Sequence, residues 1–164
     1  MGEKVFCQIQ VWVLLDLPLG RITKRYNWIV MISAGYEELD HTADWALRVW
    51  AETLPDLLRT AARGMYALSG VQLGDRRVET VTVLFSLADH EMLLVDFLSE
   101  LVFLGERGLG AGEVTLTIAG DVLEGELGLA PIEGQKKEIK AVTYHGLRVK
   151  ASQVGYEATI VFDV

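Results

Sequence analysis

The sequence predicts an α+β fold in which two helices pack on a largely antiparallel or mixed β-sheet within a single compact domain. The chain has 164 residues, of which 51% are hydrophobic, and this is enough to bury one core. Two segments carry apolar residues at helical spacing, whereas several shorter segments alternate apolar with polar residues and are joined by short turns. That combination favours helices that cover one face of a sheet.

The first patterned elements are a strand and a helix. Residues 44–50 alternate, with Trp45, Leu47 and Val49 on one side, as in a half-buried strand. Thr53 follows, and its side chain can accept a hydrogen bond from the backbone N–H three residues further on, which is a typical helix start. The apolar residues after it share one helical stripe: Leu54, Leu57, Leu58, Ala61, Met65 and Leu68.

The next pair is again a strand, at residues 78–85, and a helix. Ser86 or Asp89 is predicted to begin this second helix, which should end near Gly105 or Gly108. Its apolar positions are Leu94, Phe97, Leu98, Leu101 and Leu104.

The remainder of the chain predicts strands. Residues 114–118 and 122–129 should form a hairpin around Gly120. Residues 131–140 are charged and predict a loop. Strands are expected at 147–150 and 156–162, with Gly155 in the turn between them.

Residues 1–34 differ from the rest and are interpreted as an N-terminal extension to a domain at 35–164. The apolar run at 5–19 is interrupted by Gln8, Gln10, Asp16 and Pro18, and it is shorter than the roughly 18–20 residues of a membrane span. No secretory cleavage pattern follows it. Because Met31 immediately precedes the patterned region, we hypothesise that translation starts there, and an intact mass that includes residues 1–30 would refute this.

Charge and cysteine content restrict the function. The net charge is −8, which repels phosphate backbones, so strong direct nucleic-acid binding is not expected. A single cysteine, Cys7, cannot form an intramolecular disulfide, and this favours a reducing cytoplasm. The sequence contains no P-loop, dinucleotide fingerprint or G-x-S-x-G elbow.

Two polar clusters could carry chemistry. Asp40, His41 and Asp44 lie at the entry to the first strand, although polar residues there more often form turns. The second cluster contains Lys140, Tyr144 and His145, whose polar groups could equally be satisfied by backbone atoms.

The C-terminus is a third candidate, because Asp163 is followed at once by the α-carboxylate of Val164. If Asp44 lies beside them, three carboxylates converge and require a cation to offset their repulsion. All-oxygen ligation selects Ca²⁺ or Mg²⁺, whereas zinc stays open if His41 or His145 joins.

Three separated motifs resemble the archease family over residues 36–164. They are DHTADWALRVWAETLPDLL at 40–58, EIKAVTYHGLRV at 138–149 and a closing FDV. The resemblance implies that a divalent cation, usually assigned as calcium, is bound by Asp44, Asp163 and Val164. Asp40 and His41 match nearby motif positions and could support these ligands.

The resemblance also implies a function. Archeases are non-catalytic protein activators of the GTP-dependent tRNA-splicing RNA ligase: they promote its guanylylation, allow multiple turnover and can broaden its nucleoside triphosphate use. Two alternatives stay open. One is a metal-dependent phosphate-ester hydrolase with His145 or His41 as acid or base, and the other is a chaperone-like binding module.

Overall fold

The computed structural model describes residues 34–39 and 45–164, and within them the chain forms nine strands and two helices. The predicted α+β class is confirmed. The elements in order are β1 (Gly35–Leu39), β2 (Trp45–Ala51), α1 (Leu54–Ser69), β3 (Gln72–Leu73), β4 (Glu79–Ser86), α2 (His90–Glu106), β5 (Leu109–Ala119), β6 (Val122–Gly134), β7 (Ala141–Thr143), β8 (Val149–Ser152) and β9 (Gly155–Asp163).

The strands are divided between two sheets, whereas the sequence predicted one. In the five-stranded sheet β9 lies at the centre, with β2 along one edge and the short strands β7 and β8 along the other, and β1 pairs with β2. In the four-stranded sheet β6 pairs with β3, β4 and β5. Every pair of neighbouring strands in the described residues is antiparallel.

Helix α1 begins and ends as its sequence predicts. The Thr53 side chain accepts a hydrogen bond from the backbone N–H of Asp56, and Gly70 ends the helix in the left-handed conformation with φ 64°. The helix packs against β1 and β2. At Gly64 a Cβ would lie 2.5 Å from Leu47 and 3.0 Å from Tyr36, so the glycine permits this close packing.

Helix α2 is capped by Asp89, whose carboxylate accepts a hydrogen bond from the backbone N–H of Met92 at 2.9 Å. Ser86 instead bonds the N–H of Ala88. Both helices contact strands of both sheets, and a single cluster of buried side chains extends between the sheets. Neither helix of the described region has the length and apolar character that a bilayer crossing requires.

The predicted loop at 131–140 is partly wrong, because β6 continues to Gly134. The prediction rested on the charged residues of this segment and on Gly134. In the structure the carbonyl of Pro131 accepts a hydrogen bond from Gly74, while the next residue, Ile132, donates to the carbonyl of Gly108. The backbone therefore remains paired on both sides of the proline.

Candidate metal site

One end of the five-stranded sheet brings four chain segments together. Strand β1 ends at Leu39 and β2 begins at Trp45, while β9 ends at Asp163 and β7 begins at Ala141. Trp45 is paired with Phe162, and Ala141 is paired with Asp163. The last residues of the chain therefore lie beside the beginning of β2.

The chain terminus is held in place at this end of the sheet. Phe162 is fully buried, and Val164 is partly buried against the core. The backbone N–H of Lys140 donates to the carbonyl of Asp163 at 2.9 Å, and its ammonium donates to the main-chain oxygen of Val164 at 3.2 Å. The side chain of Asp163 is exposed, and because side chains alternate along a strand it lies on the opposite face from Phe162.

Two other carboxylates on this outer face are already engaged by one arginine. Arg48 donates to Glu37 at 3.0 Å and to Glu157 at 3.1 Å, and its guanidinium lies 5.8 Å from the ring centroid of Trp50. The hydrogen bond from Arg48 lowers the pKa of Glu157, and the same bond is the main cause that raises the pKa of Arg48. Glu37 and Glu157 are therefore occupied by Arg48, whereas Asp163 is an exposed carboxylate at the end of β9.

A lysine also approaches the beginning of β2. The carbonyl of Ser69 accepts hydrogen bonds from the backbone N–H groups of Lys136 and Lys137 at 2.9 and 3.2 Å, which fixes the segment before β7 to the end of α1. The Lys137 ammonium consequently lies 5.1 Å from the ring centroid of Trp45, a cation–π distance. This contact cannot be predicted from the sequence, since it depends on where the end of α1 lies relative to β2.

The predicted candidates fall into three groups. The first group contains residues that the structure brings into contact, namely Lys140, Asp163 and Val164. Tyr144 and His145 form the second group and lie apart from the first, because β7 runs from Ala141 away from this end; three residues of strand correspond to about 10 Å. Tyr144 is 55% exposed and His145 is also exposed.

The third group lies outside the described residues and contains Asp40, His41 and Asp44. Within residues 34–39 and 45–164, no three His, Cys, Asp or Glu side chains are grouped so that they could hold a metal ion.

Comparison with known families gives a match over most of the chain. The archease protein family matches residues 36–164. A protein archease of Methanosarcina mazei is 32% identical, with coverage of 79% of this chain and 95% of the relative. A protein archease of Archaeoglobus fulgidus is 33% identical, with coverage of 79% and 98%.

Two solved structures share the fold. A crystal structure of an archease from Thermotoga maritima, described as a possible chaperone, superposes with a TM-score of 0.61 at 22% identity and covers 78% of this chain and 96% of its own. A solution structure of a Methanobacterium thermoautotrophicum protein has a TM-score of 0.60 at 25% identity, with coverage of 79% and 99%. The fold and the anchored terminus thus define a small α+β protein of two antiparallel sheets. This chain belongs to the archease family.

Proposed function

We propose that this protein activates a GTP-dependent RNA ligase that joins a 3′-phosphate or 2′,3′-cyclic-phosphate end to a 5′-hydroxyl end in tRNA splicing. It promotes guanylylation of the ligase, allows repeated turnover and broadens the choice of nucleoside triphosphate. The ligase carries out the RNA chemistry, and this protein acts as its non-catalytic partner in the cytoplasm. Membership of the archease family over residues 36–164 supports the proposal.

The observation that carries the proposal is the anchored chain end beside the beginning of β2. Trp45 is paired with Phe162, and paired Cα atoms in antiparallel strands are about 4.5–5.5 Å apart. Consecutive Cα atoms are about 3.8 Å apart, so covalent connection alone keeps the Cα atoms of Asp44 and Asp163 within about 13 Å. An aspartate side chain and its bond to an ion together reach about 6 Å from the Cα atom, so two aspartates can share one ion when their Cα atoms lie within about 12 Å.

The donor set at this end fits a hard divalent cation. Asp163 offers an exposed carboxylate and Val164 offers its terminal carboxylate, and one terminal oxygen already accepts a hydrogen bond from the cationic Lys140. With Asp44, the ligands are all oxygens, which favours Ca²⁺ over transition metals. When bound, the cation supplies positive charge that offsets the repulsion among the carboxylates.

The surrounding residues would support these ligands. The backbone N–H of Lys140, which bonds the carbonyl of Asp163, holds the end of β9 in place. Asp40 and His41 precede Asp44 in the same short connection between β1 and β2, and their polar groups would orient its carboxylate.

The overall charge favours a protein partner over RNA. At a net charge of −8 the protein repels a phosphate backbone, whereas it attracts the basic surface that an RNA-binding enzyme presents. This protein would therefore act by contact with the ligase.

Ligation under limiting ligase tests the proposal. The wild-type protein should give many products per ligase molecule, whereas Asp44→Ala, Asp163→Ala and a chain extended beyond Val164 should each give about one, because each removes or displaces a cation ligand. Asp96→Ala is the matched control, since Asp96 is an exposed carboxylate on α2. Normal multiple turnover with all three variants would contradict the proposal.

A chaperone-like module is the second candidate, because the T. maritima structure is described as a possible chaperone. Suppression of aggregation of unrelated proteins, without stimulation of ligation, would favour this alternative over the ligase activator.

A further inference from the structure

A shallow cleft lies between the C-terminal ends of α1 and α2 and the segment that leads from β6 into β7. Its floor contains Met65, Leu101 and Ile139, which are buried. Its walls contain Tyr66, Val71 and Val102, which are half-buried and so present apolar surface to solvent.

The cleft is too small for a cofactor or metabolite. Its free volume is about 30 Å³, whereas pockets for small molecules measure about 300–1,000 Å³. A depression of this size accommodates part of one side chain of another protein.

The two charged residues that line the cleft are both acidic. Glu106 and Glu138 both line it and are exposed. Among the ion pairs of the described residues, neither carboxylate has a cationic partner within 4.0 Å. An apolar floor with two carboxylates at the rim is complementary to lysine or arginine, whose aliphatic stems lie on apolar surface while their charged ends remain at the edge.

The cleft adjoins the candidate metal site. Ile139 is buried in its floor, and the next residue, Lys140, contacts both Asp163 and Val164. A partner bound in the cleft would therefore be held beside the chain terminus.

We propose that this cleft is the contact surface for a basic, partly apolar segment of the protein partner. A lysine or arginine stem lies against Val102 and Tyr66, and the charged end lies by Glu106 and Glu138. The inference rests on the proposed function, because it specifies how the ligase is engaged.

Charge reversal tests this surface. The double variant Glu106→Lys with Glu138→Lys should weaken ligase binding, measured by calorimetry, by about tenfold or more, because two attractive charge contacts at the rim become repulsive. The matched control is Glu124→Lys with Glu126→Lys, which makes the same change in net charge at exposed positions of β6. The affinity for Ca²⁺ alone should be similar in both double variants.

A second pair of variants changes the size of one side chain beside the cleft without changing charge. Gly105 lines the cleft, and a Cβ there would meet no atom within 4 Å. Gly105→Trp should therefore fold but weaken ligase binding, whereas Gly105→Ala should bind as the wild type does.

Hydrogen exchange of the wild-type protein gives an independent readout. Addition of ligase should slow the exchange of backbone amide hydrogens in residues 101–106 and 135–139, which include residues that line the cleft, but not in residues 122–129 of β6. Equal ligase binding by the two charge-reversal variants, or protection confined to other segments, would overturn the inference about the cleft. In that case the proposed function still stands if the wild-type protein stimulates ligation. Absence of both binding and stimulation by the wild type would overturn both.

Discussion

The ammonium of Lys140 lies 3.2 Å from the main-chain oxygen of Val164, so a positive charge of the chain itself lies directly beside this residue. The same residue donates its backbone N–H to the carbonyl of Asp163 at 2.9 Å. One lysine thus contacts both residues that are proposed to bind a divalent cation, with its backbone N–H at Asp163 and its positive charge at Val164.

Lys140→Met keeps the length of the side chain but removes its charge. We expect Ca²⁺ to bind about threefold to tenfold more tightly, because a positive charge a few ångströms from the ion is lost. Calorimetric titration at low ionic strength measures the change. The control is Lys150→Met, because Lys150 of β8 is paired with Glu157, far along β9 from Asp163. This variant should bind Ca²⁺ as the wild type does, and weaker binding by Lys140→Met would contradict the expectation.

Gly70→Ala should destabilise the protein by about 1–2 kcal/mol, since a side chain is strained in the left-handed region. Gly70 has φ 64°, and its Cβ would lie 2.7 Å from Lys136. Urea denaturation gives the free energy of unfolding. The control, Gly105→Ala, should leave the free energy of unfolding unchanged or raise it by up to about 1 kcal/mol. An equal loss of stability in the two variants would contradict the prediction.

The bond from Arg48 predicts a small dependence of stability on pH. The pKa of Glu157 is lowered from 4.5, so the stabilisation is present above that pH and is lost as the pH falls through the lower folded-state pKa. Both side chains are more than 40% exposed, which limits the effect to below about 1 kcal/mol. The stability difference between wild type and Glu157→Gln should shrink as the pH falls below 4.5.

The stability difference between wild type and Glu157→Gln is measured by urea denaturation at pH values from about 3 to about 7, a range that includes the ordinary pKa of a carboxyl group. Glu124→Gln, an exposed carboxylate of β6, is the control and should follow the wild type at every pH. A difference for Glu157→Gln that grows as the pH falls would have the wrong sign.

The sequence predicted the elements whose signals are local. Thr53 and Asp89 cap their helices as expected, because a capping side chain bonds the backbone within its own first turn. The alternation from Trp45 onward and the turn at Gly120 likewise identify strands from adjacent residues alone.

The elements that were missed depend on distant parts of the chain. Strand β7 has three residues, of which only Val142 is buried, and so it is too short to show alternation. The division into two sheets and the approach of Lys137 to Trp45 arise from tertiary packing. For the site, the sequence grouped Lys140 with Tyr144 and His145, whereas the structure places Lys140 beside Asp163 and Val164.

The account depends on one shared cation, and calcium titration of chelator-treated protein tests it most directly. The wild type should bind one ion, while Asp44→Asn and Asp163→Asn should each weaken binding by about tenfold or more and Asp96→Asn should not. Calcium affinity that is unchanged in both Asp44→Asn and Asp163→Asn would contradict the central claim.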